Sequence, residues 1–410
     1  MNLSANIEPS HRRNEIYLIL FFCFLIGFNP ITNASLSAIR RIVVLPLKLD
    51  VIFFYAIYAW VVVHSIPLAF KKLHRDSLFL LLFFIFFYTL SILQPNAPSY
   101  LLTIGLQLLL SCLIYLFSRS LTEFKGLIRL LRWMAPFITF AMFLLIVFFA
   151  VNENTEYSQY TGYMVLPAAV ISADALFDRF KFLHAANALV ALMLIFISGA
   201  RGPLACILLF TALKLMQLLL TKKKWKAFIV WVGIFSLPFI LFGYRLLFAV
   251  SQFIIERGFS TRLLGYIAKD DVLNETGRDE IRNYVISLIG QHPLTGVGLG
   301  QDRMMINRFL GDPINLAIGN YPHNFFLELL VQYGLIVGSA VIFLFLRMIY
   351  LSFRRSPDSD SRNILLLFLA IGFFPLLFSG SYLTAPLLFA FLGFAATNMK
   401  KRPSLPVVAK

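Results

Sequence analysis

Charge is what this chain has least of. Only 14% of its 410 residues are Asp, Glu, Lys or Arg, where a soluble domain carries roughly 25%. Apolar runs of about 18 residues or more recur along it, each long enough for a hydrocarbon core. Together these features exclude an ordinary soluble domain and predict an all-α polytopic membrane protein. Cysteine is scarce as well. Cys23, Cys112 and Cys206 stand in separate apolar segments, which excludes a disulfide framework or a cysteine metal cluster and leaves small packing residues. A complete nucleotide loop is missing. Gly296, Gly298 and Gly300 have no strand before them and no Gly-Lys-Ser/Thr after them, so a turn needing φ > 0 is the reading. Internal repeats, low-complexity tracts, cofactor motifs and metal-ligand clusters are absent too.

Acidic residues are the scarcer charge, 20 against 36 Lys and Arg, for a formal net charge of +16. A basic excess fits nucleic acid or anionic lipid, and its distribution decides between them. The apolar segments predict about twelve spans: 16–31, 50–70, 77–94, 99–118, 134–151, 161–178, 182–198, 201–220, 226–249, 323–352, 363–379 and 381–398. The weakest is 161–178, with Pro167 and Asp174, and the last two are separated by Ser379-Gly380-Ser381. The first run has the outline of a signal peptide, with Asn33-Ala34-Ser35 as a small-residue site; an uncleaved first span is preferred because a whole bundle follows it. With the N-terminus in the cytoplasm, the inner segments hold 22 of the 36 basic residues, whereas outer segments such as Gln94–Ser99 and Asn152–Tyr160 hold none. This is the positive-inside bias. It places both termini inside and makes the basic residues topology determinants facing anionic lipid, with no nucleic acid required.

The expected organisation is therefore helices 1–9 over residues 1–249, a large extracytoplasmic loop over 250–322, helices 10–12 over 323–398 and a cytoplasmic tail over 399–410. The loop holds seven Arg/Lys and eight Asp/Glu, so it is no basic patch, and structureless loops of such length are uncommon unless functional. Ile281, Val285, Leu288 and Ile289 recur at helical spacing. They predict an amphipathic helix over about 278–289, lying on the membrane face or capping the bundle and ended by His292-Pro293.

Candidate chemistry gathers at the outer face. Arg201 opens a span as Arg201-Gly202-Pro203. A snorkelling side chain and an anion clamp at a helix N-terminus both fit it. Arg278 and Arg282 are further clamps, or ion-pair partners of Asp279 and Glu280. Asp174, Lys214, Arg245 and Arg347 lie in or near spans, most of them close enough to an end to snorkel, and carry no assigned role. In Tyr321-Pro322-His323-Asn324-Phe325-Phe326-Leu327-Glu328, a polar stretch enters a span. His323 and Asn324 fit either a polar cap at the interface or, for His323, a base or acceptor toward a hydroxyl. Glu328, about one turn into the span, requires a wet cavity or an arginine.

Three ordered motifs carry a resemblance: Ser198-Gly199-Ala200-Arg201-Gly202; Gly277-Arg278, then His292-Pro293-Leu294-Thr295-Gly296-Val297-Gly298; and Tyr321 to Glu328 with Gly334 and Gly338. The set resembles the O-antigen ligase / O-antigen polymerase superfamily. The resemblance covers about half the chain, from the seventh span to the end of the tenth. It implies metal-independent and cofactor-free glycosyl transfer on the outer face of the bacterial cytoplasmic membrane, from a glycan carried on a polyprenyl diphosphate. It also implies a glycan or lipid-linked acceptor, and flippase and chain-length regulator proteins as partners. Arg201 and Arg278, with Arg282 matching less firmly, would hold the diphosphate. His323 would serve the acceptor hydroxyl, and Asn324 and Glu328 would support it. A polymerase of O-antigen, capsule or exopolysaccharide repeat units and a ligase moving finished glycan to lipid A–core share these motifs. Tyr-Pro-His-Asn with Phe-Leu-Glu and Val-Gln-Tyr-Gly looks more like the polymerases. A transporter or flippase is the rival of another class, with discontinuous helices as its signature; a structural subunit has no support.

Overall fold

The computed structural model describes residues 15–27, 30–31, 49–71, 73–94, 100–150, 159–198, 200–221, 278–311 and 320–400. The described chain is all-helical. Its helices are α1 Glu15–Gly27, α2 Leu49–Lys71, α3 Arg75–Ile92, α4 Leu101–Ser120, α5 Phe124–Ala150, α6 Gln159–Asp178, α7 Phe182–Ile197, α8 Arg201–Thr221, α9 Arg278–Gln291, α10 Gln301–Leu310, α11 Phe325–Arg354, α12 Ser359–Phe368, α13 Phe374–Phe378 and α14 Pro386–Lys400. A short π-helical stretch, Leu369–Phe373, joins α12 to α13.

Among the described residues seven helices are long and apolar enough to cross a membrane: Arg75–Ile92, Leu101–Ser120, Phe124–Ile146, Tyr160–Asp178, Arg201–Leu219, Phe325–Arg354 and Ser359–Phe378. Glu15–Gly27, Ala56–Pro67 and Phe182–Ile197 are shorter apolar helices. The expected span 226–249 lies outside the described residues, as do Gly199, Gly277, Arg245 and the tail from 401 on. The segment 161–178, weakest in the sequence, is a helix over its whole length with Pro167 inside it. About two thirds of it is buried among neighbours, the setting in which a proline inside a membrane helix is tolerated. The last helix begins at Pro386 rather than at 381, because Ser381 caps a 3₁₀ turn, Tyr382–Thr384, before the chain turns back.

The described helices fall into two compact units. One is formed from Met1–Phe22, Ala56–Ile128 and Glu275–Lys410, the other from Cys23–Tyr55 and Arg129–Asn274. In the second, α6 packs on both α7 and α8. Asp174 of α6 is fully buried there. It lies 2.6 Å from Lys214 of α8 and 2.6 Å from Arg132 of α5, and Arg132 also meets Asp178 at 2.9 Å. Asp174 and Lys214 therefore do not snorkel: they neutralise each other inside the helices, the alternative to reaching the headgroups.

In the first unit the two ends of α3 have different surroundings. At its start, Asp76 meets Arg119 of α4 at 3.0 Å and Lys400 of α14 at 3.1 Å, and accepts a hydrogen bond from the Tyr115 hydroxyl (2.7 Å). At its other end it meets the polar insert. The Gln301 side chain donates to the Ser91 carbonyl (3.1 Å), and the Tyr100 hydroxyl, just before α4, donates to the Gly300 carbonyl (2.8 Å).

The described part of the insert is a helical hairpin, α9 and α10. The expected amphipathic helix is α9, running from Arg278 to Gln291 and ending at His292-Pro293. It caps the bundle: Ile281, Val285 and Leu288 form one buried cluster with Val297, Ile306 and, on α11, Val331. Tyr284 stacks on Phe309 of α10 with ring centroids 4.2 Å apart. The second helix, α10, was not visible in the apolar periodicity, since its buried residues are mostly polar: Gln301, Asp302, Arg303 and Asn307 beside Ile306.

The insert is also joined to α11 backbone to backbone. Gly334 interrupts α11 with φ 75° and ψ 174°. Amides of the Gly-rich turn fill the gap: Val297 donates to the Val331 carbonyl (2.8 Å), Gly298 to the Gln332 carbonyl (3.1 Å), and Leu335 donates back to the Pro293 carbonyl (2.7 Å). A Cβ on Gly296 would collide with the Gln332 carbonyl, and one on Gly334 with the Leu294 carbonyl. Both positions combine positive φ with a close backbone approach, which is where glycine is required. The Gly296–Gly300 segment is thus the turn expected, and its purpose is to repair a broken helix.

Candidate functional site

The N-terminus of α11 carries the histidine motif. Asn324 is the helix cap: its side-chain oxygen accepts from the amides of Phe326 (3.0 Å) and Leu327 (3.1 Å). Of the two readings of His-Asn, the capping one holds for Asn324. His323 is different. It adopts φ 55°, alone among the described non-glycine residues with positive φ, at a cost of about 1–2 kcal/mol for an L-residue. It is half-buried, and its Nδ1 is buried without a hydrogen-bond partner. Burial, and then the positive charge of Arg278, push the imidazole down to about 4. The ring is therefore neutral at ordinary pH and has a lone pair to offer.

Arg278 begins α9, and its guanidinium donates to the Phe378 carbonyl (3.1 Å) at the end of α13. Arg282 lies on the exposed side of α9, paired with Asp279 at 2.7 Å. Such exposed i,i+3 pairs are weak, so Arg282 remains available to solvent-borne partners while Arg278 is held at the bundle. Arg201 is the first residue of α8 in the other unit and is half-buried.

Glu328 is buried, and it has an arginine near it, as its position in the span demands. Its carboxylate accepts from the Ser381 hydroxyl and from the Tyr382 amide (3.2 Å). Ser381 in turn accepts from Nη2 of Arg303 at 2.7 Å. Beside it the Gln332 amide donates to Asp302 Oδ1 (2.8 Å) and accepts from the Tyr382 hydroxyl (2.5 Å), which lies 2.9 Å from the Tyr333 hydroxyl. Burial raises the Asp302 carboxyl above the usual range, opposed by Arg303 and by the Gln332 hydrogen bond. All these side chains are buried. The network ties α10, α11 and the Ser379–Ala385 turn into one polar core directly under the histidine motif.

Arg303 also reaches that motif: its guanidinium carbon lies 5.7 Å from the centroid of the Tyr321 ring, and Tyr321 lies 4.3 Å from the His323 ring. Asp302, Arg303, Gln332, Ser381 and Tyr382 were not singled out in the sequence. Asp302 and Arg303 are two charged residues among many in the polar insert, with no pattern to set them apart, and Ser381 reads as part of the Ser379-Gly380-Ser381 turn. Only Val-Gln-Tyr-Gly, one turn beyond Glu328, hinted at Gln332. On the membrane side of the network lies an apolar cavity of about 280 Å³, lined by Phe79, Phe83, Phe84, Tyr333 and Tyr382 among others.

Residues 186–343 match the family model described as O-antigen ligase. The matched segment contains Arg201, Arg278, the whole α9–α10 insert, His323, Glu328 and the break in α11. The match covers less than half of the chain and supports the O-antigen ligase and polymerase superfamily. No curated protein matches the chain. Together with the apolar helices, the match supports a multi-pass membrane protein of the ligase or polymerase type. Within the first unit, the histidine segment, the insert and Glu328 come together around one buried polar core.

Proposed function

We propose that this chain polymerises repeat units of a bacterial surface polysaccharide, transferring a growing glycan from its polyprenyl-diphosphate carrier to the sugar of the next lipid-linked unit. The observation that carries the reading is His323: a neutral, half-buried imidazole with an unpartnered nitrogen, beside the Arg278 guanidinium at the mouth of a membrane helix. In the proposed step the acceptor hydroxyl gives its proton to His323 as its oxygen attacks the anomeric carbon. The bond from that carbon to the diphosphate oxygen breaks, and the leaving dianion is stabilised by arginine. Arg278 supplies that charge at the site. Arg201 has the same role by motif, and Arg282 is the more peripheral candidate. Asn324 fixes the helix end on which His323 stands, and the apolar cavity below suits a donor with an isoprenoid tail. The reaction is assigned to the extracytoplasmic face of the inner membrane, where the large insert and histidine segment belong by the charge pattern.

The transporter reading relies on a discontinuous helix whose open backbone holds an ion or substrate. In α11 the carbonyls at the break, Val331 and Gln332, are occupied by loop amides, which argues for an enzyme.

The test is genetic and chemical together. His323→Ala and Arg278→Ala should insert into the membrane normally and yield no long-chain glycan. Full-length glycan in both variants overturns the site. A deletion strain accumulating single repeat units on the polyprenyl carrier supports a polymerase. Long carrier-linked chains would instead identify a ligase, and units trapped on the inner leaflet a flippase.

A further inference from the structure

We propose that Arg303 is a positioning residue for His323, acting through the ring of Tyr321 and anchored by Ser381 and Glu328. The inference rests on the glycosyl-transfer reading of His323 for its consequence, and on geometry alone for its physical content. His323 holds a backbone conformation that an L-residue adopts only when its surroundings impose it. Pro322 precedes it, which restricts Tyr321 to extended conformations and leaves the position of the Tyr321 ring to side-chain packing. That ring lies between the imidazole, 4.3 Å away between centroids, and the Arg303 guanidinium, 5.7 Å from its centroid. A planar cation over an aromatic face is an attractive contact whose strength increases when water is excluded, and Arg303 is buried.

Arg303 is fixed from behind. Its Nη2 donates to Ser381 Oγ at 2.7 Å, and that hydroxyl donates to the Glu328 carboxylate, which also holds the Tyr382 amide. The line from Glu328 through Ser381 and Arg303 to Tyr321 begins inside a membrane helix and ends against the imidazole. It gives Glu328 a function: the carboxylate secures the hydroxyl that orients the guanidinium. Asn307 holds the returning chain from the other side, accepting from the Asn320 backbone amide at 3.1 Å. The strained residue is therefore braced on the side of Tyr321 as well as by the helix that follows.

The experiment reads His323 directly and does not depend on glycan. Purified full-length protein in detergent is treated with diethyl pyrocarbonate, which acylates only neutral imidazole, and modification of His323 is followed by mass spectrometry from pH 5 to 8. In the unaltered protein the rate profile is expected to be flat through pH 6.5. In Arg303→Met and in Tyr321→Leu the proposal expects a titration step close to the ordinary histidine value of about 6.5, because the ring is released to water. Tyr321→Phe keeps the ring and should restore the flat profile. If Arg303→Met fails to fold, Tyr321→Leu, which leaves the buried network intact, decides alone. A flat profile in folded Tyr321→Leu overturns the proposal. Turnover supplies a second readout: Tyr321→Leu should lower kcat roughly tenfold or more, as misplacing a reacting group does, with KM for the lipid-linked donor nearly unchanged. If His323→Ala retains full glycan synthesis, the functional reading fails while the labelling still judges the brace.

Discussion

At the scale of residues, His323 brings together an uncommon backbone angle, an unpartnered nitrogen and a neighbouring cation. Its folded-state pKa of about 4 is below its unfolded value. Folding therefore favours the neutral ring. Above about pH 6.5 this costs nothing; as pH falls from there toward 4, the unfolded chain takes up a proton that the folded chain refuses, and stability declines. The same shift governs activity. The kcat/KM profile is expected to be level through pH 6.5, with its acidic limb displaced toward pH 4. A limb at the ordinary histidine value would show that the reacting imidazole is not the buried one. Glu328 shows how far sequence reasoning reached at this scale. A carboxylate one turn into an apolar helix announced a partner, because the charge has no other way to exist there. The partner's identity was not legible. Arg303 is 25 residues away in a segment whose composition is that of any solvated loop, and Ser381 lies beyond two further helices.

At the scale of elements, apolar periodicity showed α9 and missed α10, for one physical reason. Helix α9 buries aliphatic side chains against Val331, so its pattern is visible in hydrophobicity. Helix α10 buries Gln301, Asp302, Arg303 and Asn307 in hydrogen bonds that depend on partners distant in sequence. The boundary at Pro386 was likewise hidden, since a 3₁₀ turn inside an apolar run has no hydropathy signature. In the second unit, the ion cluster of α5, α6 and α8 gives a prediction of its own. Asp174→Asn removes the buried carboxylate that Lys214 and Arg132 share, and should cost about 3–5 kcal/mol. Asp178→Asn removes an exposed partner of Arg132 and should cost under ~1 kcal/mol. Thermal unfolding of the purified variants in detergent measures the difference; equal melting temperatures would contradict the assignment.

At the scale of the whole molecule, the positive-inside pattern orders the segments, and in the first unit a basic cluster and the polar insert lie at opposite ends of α3. Asp76, Arg119 and Lys400 meet at one end of α3, while the insert is bonded to its other end at Ser91 and Tyr100. This supports placing the insert outside and the basic ends inside, and labelling tests it. The three native cysteines are buried and unpaired, so they contribute little background. Gly290 is exposed and has open space around the position of a Cβ. In intact cells a membrane-impermeant maleimide should modify Gly290→Cys and leave Lys400→Cys unmodified until the membrane is permeabilised. The reverse pattern would invert the topology.

The backbone seam between the Gly-rich turn and the break in α11 also sets an order in time. The turn is synthesised about 35 residues ahead of Val331 and Gln332, so during biogenesis its amides emerge before their acceptors exist. The hairpin can settle only once α11 has been made and has entered the bilayer. That entry leaves two carbonyls exposed at the break until the turn arrives. Each half is thus incomplete until the other is present, so the hairpin completes its fold only after α11 has been made.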